Sequence, residues 1–281
     1  MRPIIILVLL LIIAFSAGCG ESAHANRPER VVASFYPLAF AAQEIGGRKV
    51  EVENLTPAGA EPHDLEVAPS DVRDVRGADL VLLLGHGFQP QLEDAPGTGS
   101  RVLVLLDTPG LNRFPNDDPH VWLDPLRYAR IAQRIGTALH ATSQTKSFVT
   151  RLRALDREYR RALDRCTRHE IVTSHEAFAY LGQRYGLQQI AITGLSPEAE
   201  PSPQDLRKVI DLVRRTRATT IFFETLVSPR IAETVARETR AKTAVLNPIE
   251  GLTPEEANRG EDYFSIMRSN LASLREALGC R

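Results

Sequence analysis

The sequence predicts an α/β protein of two similar lobes, each with a parallel sheet of about four strands and flanking helices, joined by a long rigid helix. Three observations predict this fold class. Short β-rich runs alternate with helical patterns, as they do in parallel α/β sheets. These runs form two sets, and residues 125–165, which carry no strand pattern, separate the sets. The length of 281 residues suits two such lobes.

The first lobe is predicted over residues 30–143. Its candidate strands are apolar runs of the kind that lie buried on both faces of a sheet. They are Val31–Phe35, Val50–Leu55, Leu80–Leu84 and Val102–Leu105. Helical patterns cover Leu38–Ile45, which ends at a glycine pair, and Ser70–Arg76, which we expect to begin with a serine cap.

The segment between the two sets of strands is helical in pattern. Apolar residues recur at helical spacing near its end, namely Leu152, Leu155, Tyr159 and Leu163. We predict two helices, the second running to about Arg165 and forming a connector over residues 144–167. A helical connector is stiffer than a Gly/Ser linker, so we expect no wide hinge closure.

The second lobe is predicted over residues 168–281 and repeats the pattern of the first. Its candidate strands are Ile171–Thr173, Gln189–Ile192, Thr220–Phe223 and Thr243–Leu246. Two of its helices have clear start signals. Ser202 precedes Pro203 as an N-cap, and Thr253 with Glu256 forms a capping box.

Residues 1–18 have the pattern of a secretory signal peptide. Arg2 is followed by the apolar run Ile4–Ile13 and then by small residues. The run is shorter than the ~20 apolar residues that span a bilayer, although a retained membrane anchor is the alternative. We therefore expect the chain to be exported.

The letters SAGC at residues 16–19 resemble the lipobox of bacterial lipoproteins, in which the cysteine is lipidated. Ser16 stands where leucine is usual in that motif. We expect lipidation at Cys19, with residues 19–29 forming a polar tether. Cys166 and Cys280 then remain as an even pair in an oxidising compartment, which suggests a disulfide; two unrelated cysteines are the alternative.

Three of the seven histidines occupy matching positions in the predicted fold. His63 lies in the loop after the second strand, His120 lies at a helix entry, and His175 directly follows a strand. Ligands of open α/β sheets bind at the carboxyl edge of the strands. Two of these histidines belong to the first lobe and one to the second, so the predicted site lies in the cleft between the lobes.

Three imidazoles and one carboxylate make a good zinc site. Glu250, which follows the last predicted strand, is the expected fourth ligand. Asn247 is nearer the strand end, but a neutral amide is a poor zinc ligand, and water or Glu61 are further alternatives. His86 also follows a strand, and we expect it to be a loop histidine without a metal role.

Other residues near these histidines have expected supporting roles. Trp122 is expected to pack at the lobe interface, and Asp124 to cap the helix that starts at Pro125. Metal-bound histidines usually donate their second ring N–H to an acceptor. The carboxylates that could orient the ligand imidazoles in this way are Asp118, Asp124, Glu176 and Glu224.

Six motifs in this order resemble the substrate-binding lipoproteins of bacterial zinc and manganese ABC importers. They are GAEPHDLEVAPSDV, DDPHVWLDP, SHEAFAYLGQRYGL, SPEAEPSPQDL, FFETLVSP and LNPIEGLTPEE with GEDYFSIMRSNLASLREAL. The resemblance covers nearly all of the chain after the tether. It implies two α/β lobes joined by a rigid helix, one metal buried between them, and delivery to a membrane permease driven by a cytoplasmic ATPase.

The resemblance also implies a ligand set. The first three ligand positions of the family fall on His63, His120 and His175. The fourth falls in LNPIEG, where many members have Asp and this chain offers Asn247 and Glu250. A histidine at the third position favours zinc over manganese, because imidazole suits zinc and oxygen ligands suit manganese. The His-rich loop of many zinc members is missing before His120.

We therefore expect a monomeric, non-enzymatic protein that carries one Zn²⁺ per chain to an ABC permease. We expect it to be a lipid-anchored protein on the outer face of the cytoplasmic membrane, or periplasmic. With a formal net charge of −1, nothing in the composition suggests nucleic acid binding, which would need a basic face. The alternatives are a manganese-delivering homologue, a surface adhesin and a secreted zinc enzyme, the last disfavoured because no H-E-x-x-H motif is present.

Overall fold

The structure, a computed structural model, describes residues 27–114 and 116–281. The predicted signal peptide, Cys19 and most of the predicted tether lie outside the described residues. Within the described part, none of the helices combines the length and the apolar character needed to cross a membrane.

Two four-stranded parallel sheets form the centre of the molecule, which confirms the predicted α/β class. Their strand orders are β2-β1-β3-β4 and β6-β5-β7-β8, so both lobes share one topology. The first sheet contains β1 Glu29–Ala33, β2 Val50–Asn54, β3 Leu80–Leu83 and β4 Val102–Val104. The second contains β5 Glu170–Thr173, β6 Gln188–Ala191, β7 Thr220–Phe223 and β8 Lys242–Val245.

Helices follow the strands in both lobes. Those up to the middle of the chain are α1 Tyr36–Gly46, α2 Pro69–Gly77, α3 Pro90–Glu93, α4 Pro125–Ala138 and α5 Thr142–Leu163. The later ones are α6 Ala179–Tyr185, α7 Pro203–Thr216, α8 Arg230–Thr239, α9 Pro254–Asn258 and α10 Tyr263–Leu278. Short 3₁₀ turns lie at Gly47–Lys49, Pro62–Asp64, Leu105–Asp107 and Val121–Leu123.

Most of the predicted helix starts are confirmed, and one is wrong. Ser202 caps α7, and Thr253 with Glu256 forms the capping box of α9. The helix expected to begin with a cap at Ser70 begins one residue earlier, at Pro69, with Ala68 at the N-cap position. Proline suits the first helical position because its ring presets φ and its missing N–H would have no partner there.

Helix α5 connects the lobes and packs on both. Its buried face includes the predicted stripe Leu152, Leu155, Tyr159 and Leu163. It contacts α4 and α1 of the first lobe and α10 and α6 of the second. One apolar cluster extends from Val31 in β1 through this helix to Leu278 in α10. The lobes therefore share a core rather than hanging from a flexible hinge.

The two cysteines of the described part lie together. The sulfur atoms of Cys166 and Cys280 are at bonding distance, across a sequence separation of 114 residues. Cys166 follows the end of α5 and Cys280 follows the end of α10. The contact thus ties the connecting helix to the last helix of the chain.

Candidate metal centre

The side chains of four predicted ligands converge between the lobes. One ligand atom from each lies within 4.8 Å of the others: His63, His120, His175 and Glu250. No further group of this kind was found in the described ranges. Three of the four are buried, and only His63 is partly exposed.

The loops at the carboxyl ends of the strands position these side chains. His63 lies in the turn Pro62–Asp64 after β2, and His175 follows β5 by two residues. His120 is the N-cap of the turn Val121–Leu123. Glu250 lies in the loop after β8. The four candidate ligands therefore follow strands in both lobes, as expected for loops at the carboxyl edges of the sheets.

The Oε1 atom of Glu250 lies close to all three imidazoles. It is 3.3 Å from His63 Nε2, 2.9 Å from His120 Nε2 and 3.5 Å from His175 Nε2. The Nε2 atoms of His120 and His175 are 3.3 Å apart. Ligand atoms about 2.0–2.1 Å from a tetrahedral zinc ion are about 3.3 Å from one another. The donor set and its spacing therefore suit a four-coordinate zinc ion.

A carboxylate orients His120. The Nδ1 atom of His120 is 2.7 Å from Asp118 Oδ1, and both side chains are fully buried. Asp118 accepts the Nδ1–H, so Nε2 is the nitrogen that faces the cluster and is free to bind a metal once it has lost its proton. Burial disfavours the charged ring, but the hydrogen bonds with Asp118 and Glu250 outweigh it and raise the pKa of His120.

A second carboxylate orients His175 in the same way. Its Nδ1 atom is 2.7 Å from Glu224 Oε1, which also accepts a hydrogen bond of 2.6 Å from Ser174. Burial lowers the pKa of the imidazole, but the hydrogen bonds with Glu224 and Glu250 dominate and raise the pKa of His175 to about 10. Without metal, the imidazole of His175 is therefore in its protonated, cationic form at neutral pH.

His63 is the ligand nearest to solvent. Its side chain is 12% exposed, and its ring packs edge-on against Phe88 at 4.8 Å. Its backbone N–H donates to Glu61 Oε1 at 3.1 Å, which holds the turn. A cavity of about 350 Å³ adjoins it and is lined by both lobes, including Pro119 and Leu195.

The two glutamates near the cluster differ in charge. Burial opposes ionisation of Glu250, yet hydrogen bonds from His120, His175 and His63 hold its pKa well below the ordinary value. Burial, and then the charge of Glu250, raise the pKa of Glu61 to about 9. Glu250 is thus the ionised carboxylate of the pair at neutral pH, which favours it over Glu61 as a ligand.

Asn247, the other alternative, has a carboxamide that is bonded to other groups. Its Oδ1 accepts from the N–H of Ile249 at 2.7 Å, and its Nδ2 donates to Thr225 and Glu256. All polar atoms of this carboxamide are therefore engaged in holding the loop.

The remaining predicted carboxylates are not partners of the ligand imidazoles. Asp124 caps α4, as predicted, and pairs with Arg127 and Arg184. Among the described residues, Glu176 makes no hydrogen bond with the ring of His120 or His175, whose Nδ1 atoms pair with other carboxylates. Of the four candidates, Asp118 and Glu224 are the two that orient histidines.

Trp122 packs between the lobes, as predicted, and also makes a hydrogen bond across them. Its Nε1 donates to the carbonyl of Pro248 at 2.7 Å, two residues before Glu250. His86 lies outside the cluster: it contacts Asp107 at 2.8 Å and Arg113 at 3.0 Å.

One supporting residue escaped the sequence reasoning. Asn270 of α10 is buried and bonds to both backbone groups of Asn247, at 2.9 and 2.7 Å. A signal was present, because Asn270 falls at the spacing of the buried residues Met267 and Leu274. A polar residue on the apolar face of a helix needs a buried partner.

Comparison with known families gives one match that covers most of the chain. The model of a family described as "Zinc-uptake complex component A periplasmic", or ZnuA, matches residues 31–277.

Two curated relatives have similar sequences. "Zinc-binding lipoprotein AdcA" of Streptococcus pneumoniae serotype 4 is 32% identical over 309 residues, covering 98% of this chain and 61% of AdcA. "High-affinity zinc uptake system protein ZnuA" of Bacillus subtilis is 31% identical over 298 residues, covering 93% of each chain. The chain thus spans less than two thirds of AdcA but nearly all of the Bacillus protein.

Solved structures share the fold. The Zn(II)-bound ZnuA-like domain of Streptococcus pneumoniae AdcA has a TM-score of 0.78 at 32% identity, covering 89% of this chain and 99% of that domain. The laminin-binding protein Lmb of Streptococcus agalactiae, described as having adhesin and metal-transporting activity, has a TM-score of 0.82 at 30% identity, covering 90% and 100%.

Proposed function

We propose that this chain, which belongs to the ZnuA family of periplasmic zinc-uptake components, binds one Zn²⁺ outside the cytoplasm and delivers it to an ABC importer. The observation that carries the proposal is the convergence of three imidazoles and one carboxylate between the lobes. The names of the relatives describe binding and uptake rather than catalysis.

The ligand chemistry supports zinc over manganese. Imidazole nitrogens suit zinc, whereas carboxylate, carbonyl and water oxygens suit manganese. Three of the four proposed ligands are imidazoles, and the 3.3 Å between the Nε2 atoms of His120 and His175 suits a tetrahedral zinc ion.

The fourth protein ligand distinguishes a carrier from a catalyst. Catalytic zinc sites keep one position open for water or substrate. Here Glu250 Oε1 lies within 3.5 Å of the Nε2 atoms of all three histidines, where it would close the coordination sphere. A closed site supports capture and transport, and we propose no enzymatic activity.

We further propose that Cys19 carries a lipid anchor, that the partner is a membrane permease, and that Cys166 and Cys280 form a disulfide. The relatives named as zinc-binding lipoproteins support the anchor. In this arrangement the protein is tethered beside the permease that receives the ion.

Native mass spectrometry of the purified protein with Zn²⁺ or Mn²⁺ tests the binding function. We expect one zinc per chain, lost in His120→Ala and retained in His169→Ala, which alters an exposed histidine outside the cluster. Retention of zinc by His120→Ala at the affinity of the unaltered protein would contradict the proposed site, and preferential binding of Mn²⁺ would contradict the proposed metal.

A further inference from the structure

The loop that carries Glu250 is fixed by a buried asparagine that does not itself belong to the metal cluster. Asn247 is 3% exposed. Its Oδ1 accepts from the N–H of Ile249 at 2.7 Å, and its Nδ2 donates to Thr225 Oγ1 at 3.0 Å and Glu256 Oε1 at 3.1 Å. A buried carboxamide with all its groups paired is a rigid support.

Ile249, directly before Glu250, has an unfavourable backbone conformation. Its φ is +59°, in the left-handed region, and its side chain is fully buried. A β-branched residue with positive φ is rare, because its side chain crowds its own backbone. Such a conformation persists only where the surroundings hold it. The direct restraint on this residue is the hydrogen bond from its N–H to Asn247.

Both lobes hold the rest of the loop. Asn270 bonds to the backbone N–H and carbonyl of Asn247, and Trp122 of the first lobe donates to the carbonyl of Pro248. Tyr263 in turn donates to the carbonyl of Trp122 at 2.7 Å. The loop before Glu250 is thus held by hydrogen bonds at Asn247 and at Pro248. Ile249, the residue with positive φ, comes directly after them.

We infer that Asn247 is a positioning residue for the fourth metal ligand: it holds Ile249 in the left-handed conformation and thereby directs Glu250 at the three histidines. This inference rests on the proposed function and deepens it. Without the Asn247 carboxamide, the backbone of Ile249 relaxes toward negative φ and turns Glu250 away. The carboxylate is therefore in place before the ion arrives, and capture needs no rearrangement of the loop.

The test measures zinc dissociation into a chelator and the visible spectrum of the cobalt-substituted protein. It compares the unaltered chain, Asn247→Ala, Glu250→Ala and the double variant, with Asn258→Ala as an exposed asparagine control. We expect Asn247→Ala to release zinc about 10- to 100-fold faster, the usual cost of removing a residue that supports a metal ligand. We expect its cobalt spectrum to resemble that of Glu250→Ala.

The double variant separates positioning from general structure. If Asn247 acts through Glu250, then Asn247→Ala accelerates release no further in the Glu250→Ala background. Additive acceleration in the double variant overturns the inference. So does an Asn247→Ala protein that is folded by circular dichroism and keeps the dissociation rate and cobalt spectrum of the unaltered chain.

If Asn247→Ala does not fold, Asn247→Ser takes its place. Its shorter hydroxyl accepts from the N–H of Ile249 more weakly than the asparagine carboxamide does. Release must then be faster from Asn247→Ser than from the unaltered chain, and equal rates overturn the inference. Failure of the unaltered chain to bind zinc would instead contradict the proposed function.

Discussion

At the scale of single residues, the candidate site depends on which nitrogen each histidine presents. Asp118 and Glu224 each lie 2.7 Å from an Nδ1 atom, so Nε2 of His120 and of His175 faces Glu250. Because these carboxylates are buried, they have no competing solvent partner. The orientation of the rings is therefore set before a metal ion binds.

Replacing Asp118 by Asn tests this orientation. The amide can present an N–H to Nδ1 and so favour the wrong tautomer of His120. We expect zinc affinity to fall about 10- to 100-fold, measured by competition with a chelator. Asp107→Asn, which alters the partner of His86 outside the cluster, is the control. Equal affinities of the two variants would show that Asp118 does not orient the ligand.

The raised pKa values predict how zinc affinity depends on pH. The pKa of an unperturbed imidazole is about 6.5, whereas the pKa of His175 is raised to about 10. Because the metal-free site holds a proton that zinc must displace, affinity rises with pH throughout the range below that pKa. We expect about a tenfold rise per pH unit for each proton displaced, from about pH 6 to about pH 9.

Calorimetry in buffers with different ionisation enthalpies checks this prediction, because the released protons are taken up by the buffer. At least one proton should be released per zinc at neutral pH. An affinity independent of pH over the same range, with no proton release, would rule out protonated histidines in the metal-free site.

At the scale of elements, α5 links the lobes through its buried face rather than through its ends alone. Leu155 lies in the middle of the helix and is fully buried. The hydroxyl of Tyr159 donates to the carbonyl of Met267 in α10 at 2.6 Å. The helix therefore contributes both apolar packing and a buried hydrogen bond to the second lobe.

Leu155→Ala should lower the free energy of unfolding by about 2–5 kcal/mol, because it leaves a cavity in a packed core. Urea denaturation of the metal-free protein measures the change. Arg157→Ala, on the exposed face of the same helix, should cost less than about 0.5 kcal/mol. If both variants are equally stable, the apolar face of α5 does not stabilise the core.

The proposed disulfide also acts at this scale. A bond that closes a loop of 114 residues restricts the unfolded chain, and bonds of this kind typically stabilise a protein by about 2–4 kcal/mol. We expect reduction to lower the urea midpoint. Thiol labelling of the denatured, unreduced protein should find Cys166 and Cys280 blocked, and two free thiols would disprove the bond.

At the scale of the whole molecule, the two lobes behave as one packed unit. A single apolar cluster includes residues of both sheets and of α5, and Trp122 and Pro248 are bonded across the lobes. Separating the lobes would expose part of this cluster to water, which costs free energy. Wide opening in the metal-free state is therefore unfavourable.

Small-angle scattering tests this rigidity. We expect the radius of gyration of the metal-free and zinc-loaded proteins to agree within experimental error, since the connector and the shared core restrict closure. A clear contraction when zinc binds would show that the lobes hinge, and would contradict the prediction made from the helical connector.

Local patterns were sufficient for the fold. Strands such as Leu80–Leu83 are apolar throughout because both faces of the sheet are covered. A continuous apolar run can be recognised in the sequence without knowledge of any tertiary contact. The predicted start of α2 is wrong because Pro69 and Ser70 are both residues that favour a helix start. The structure uses Pro69 as the first helical residue, so Ser70 lies inside the helix instead of capping it.

The fold class and the loop positions of the three histidines follow from the sequence pattern alone, because the loops after parallel strands lie at one edge of the sheet. The preference for Glu250 over Asn247 follows from ligand chemistry, and the structure brings Glu250 to the histidines. Only the tertiary structure shows which of the candidate carboxylates orient the rings: Asp118 pairs with His120, whereas Asp124 caps a helix and does not. These two aspartates are alike in type and close in sequence. The direction of each side chain depends on backbone angles and on partners as far as 187 residues away, which no local pattern encodes.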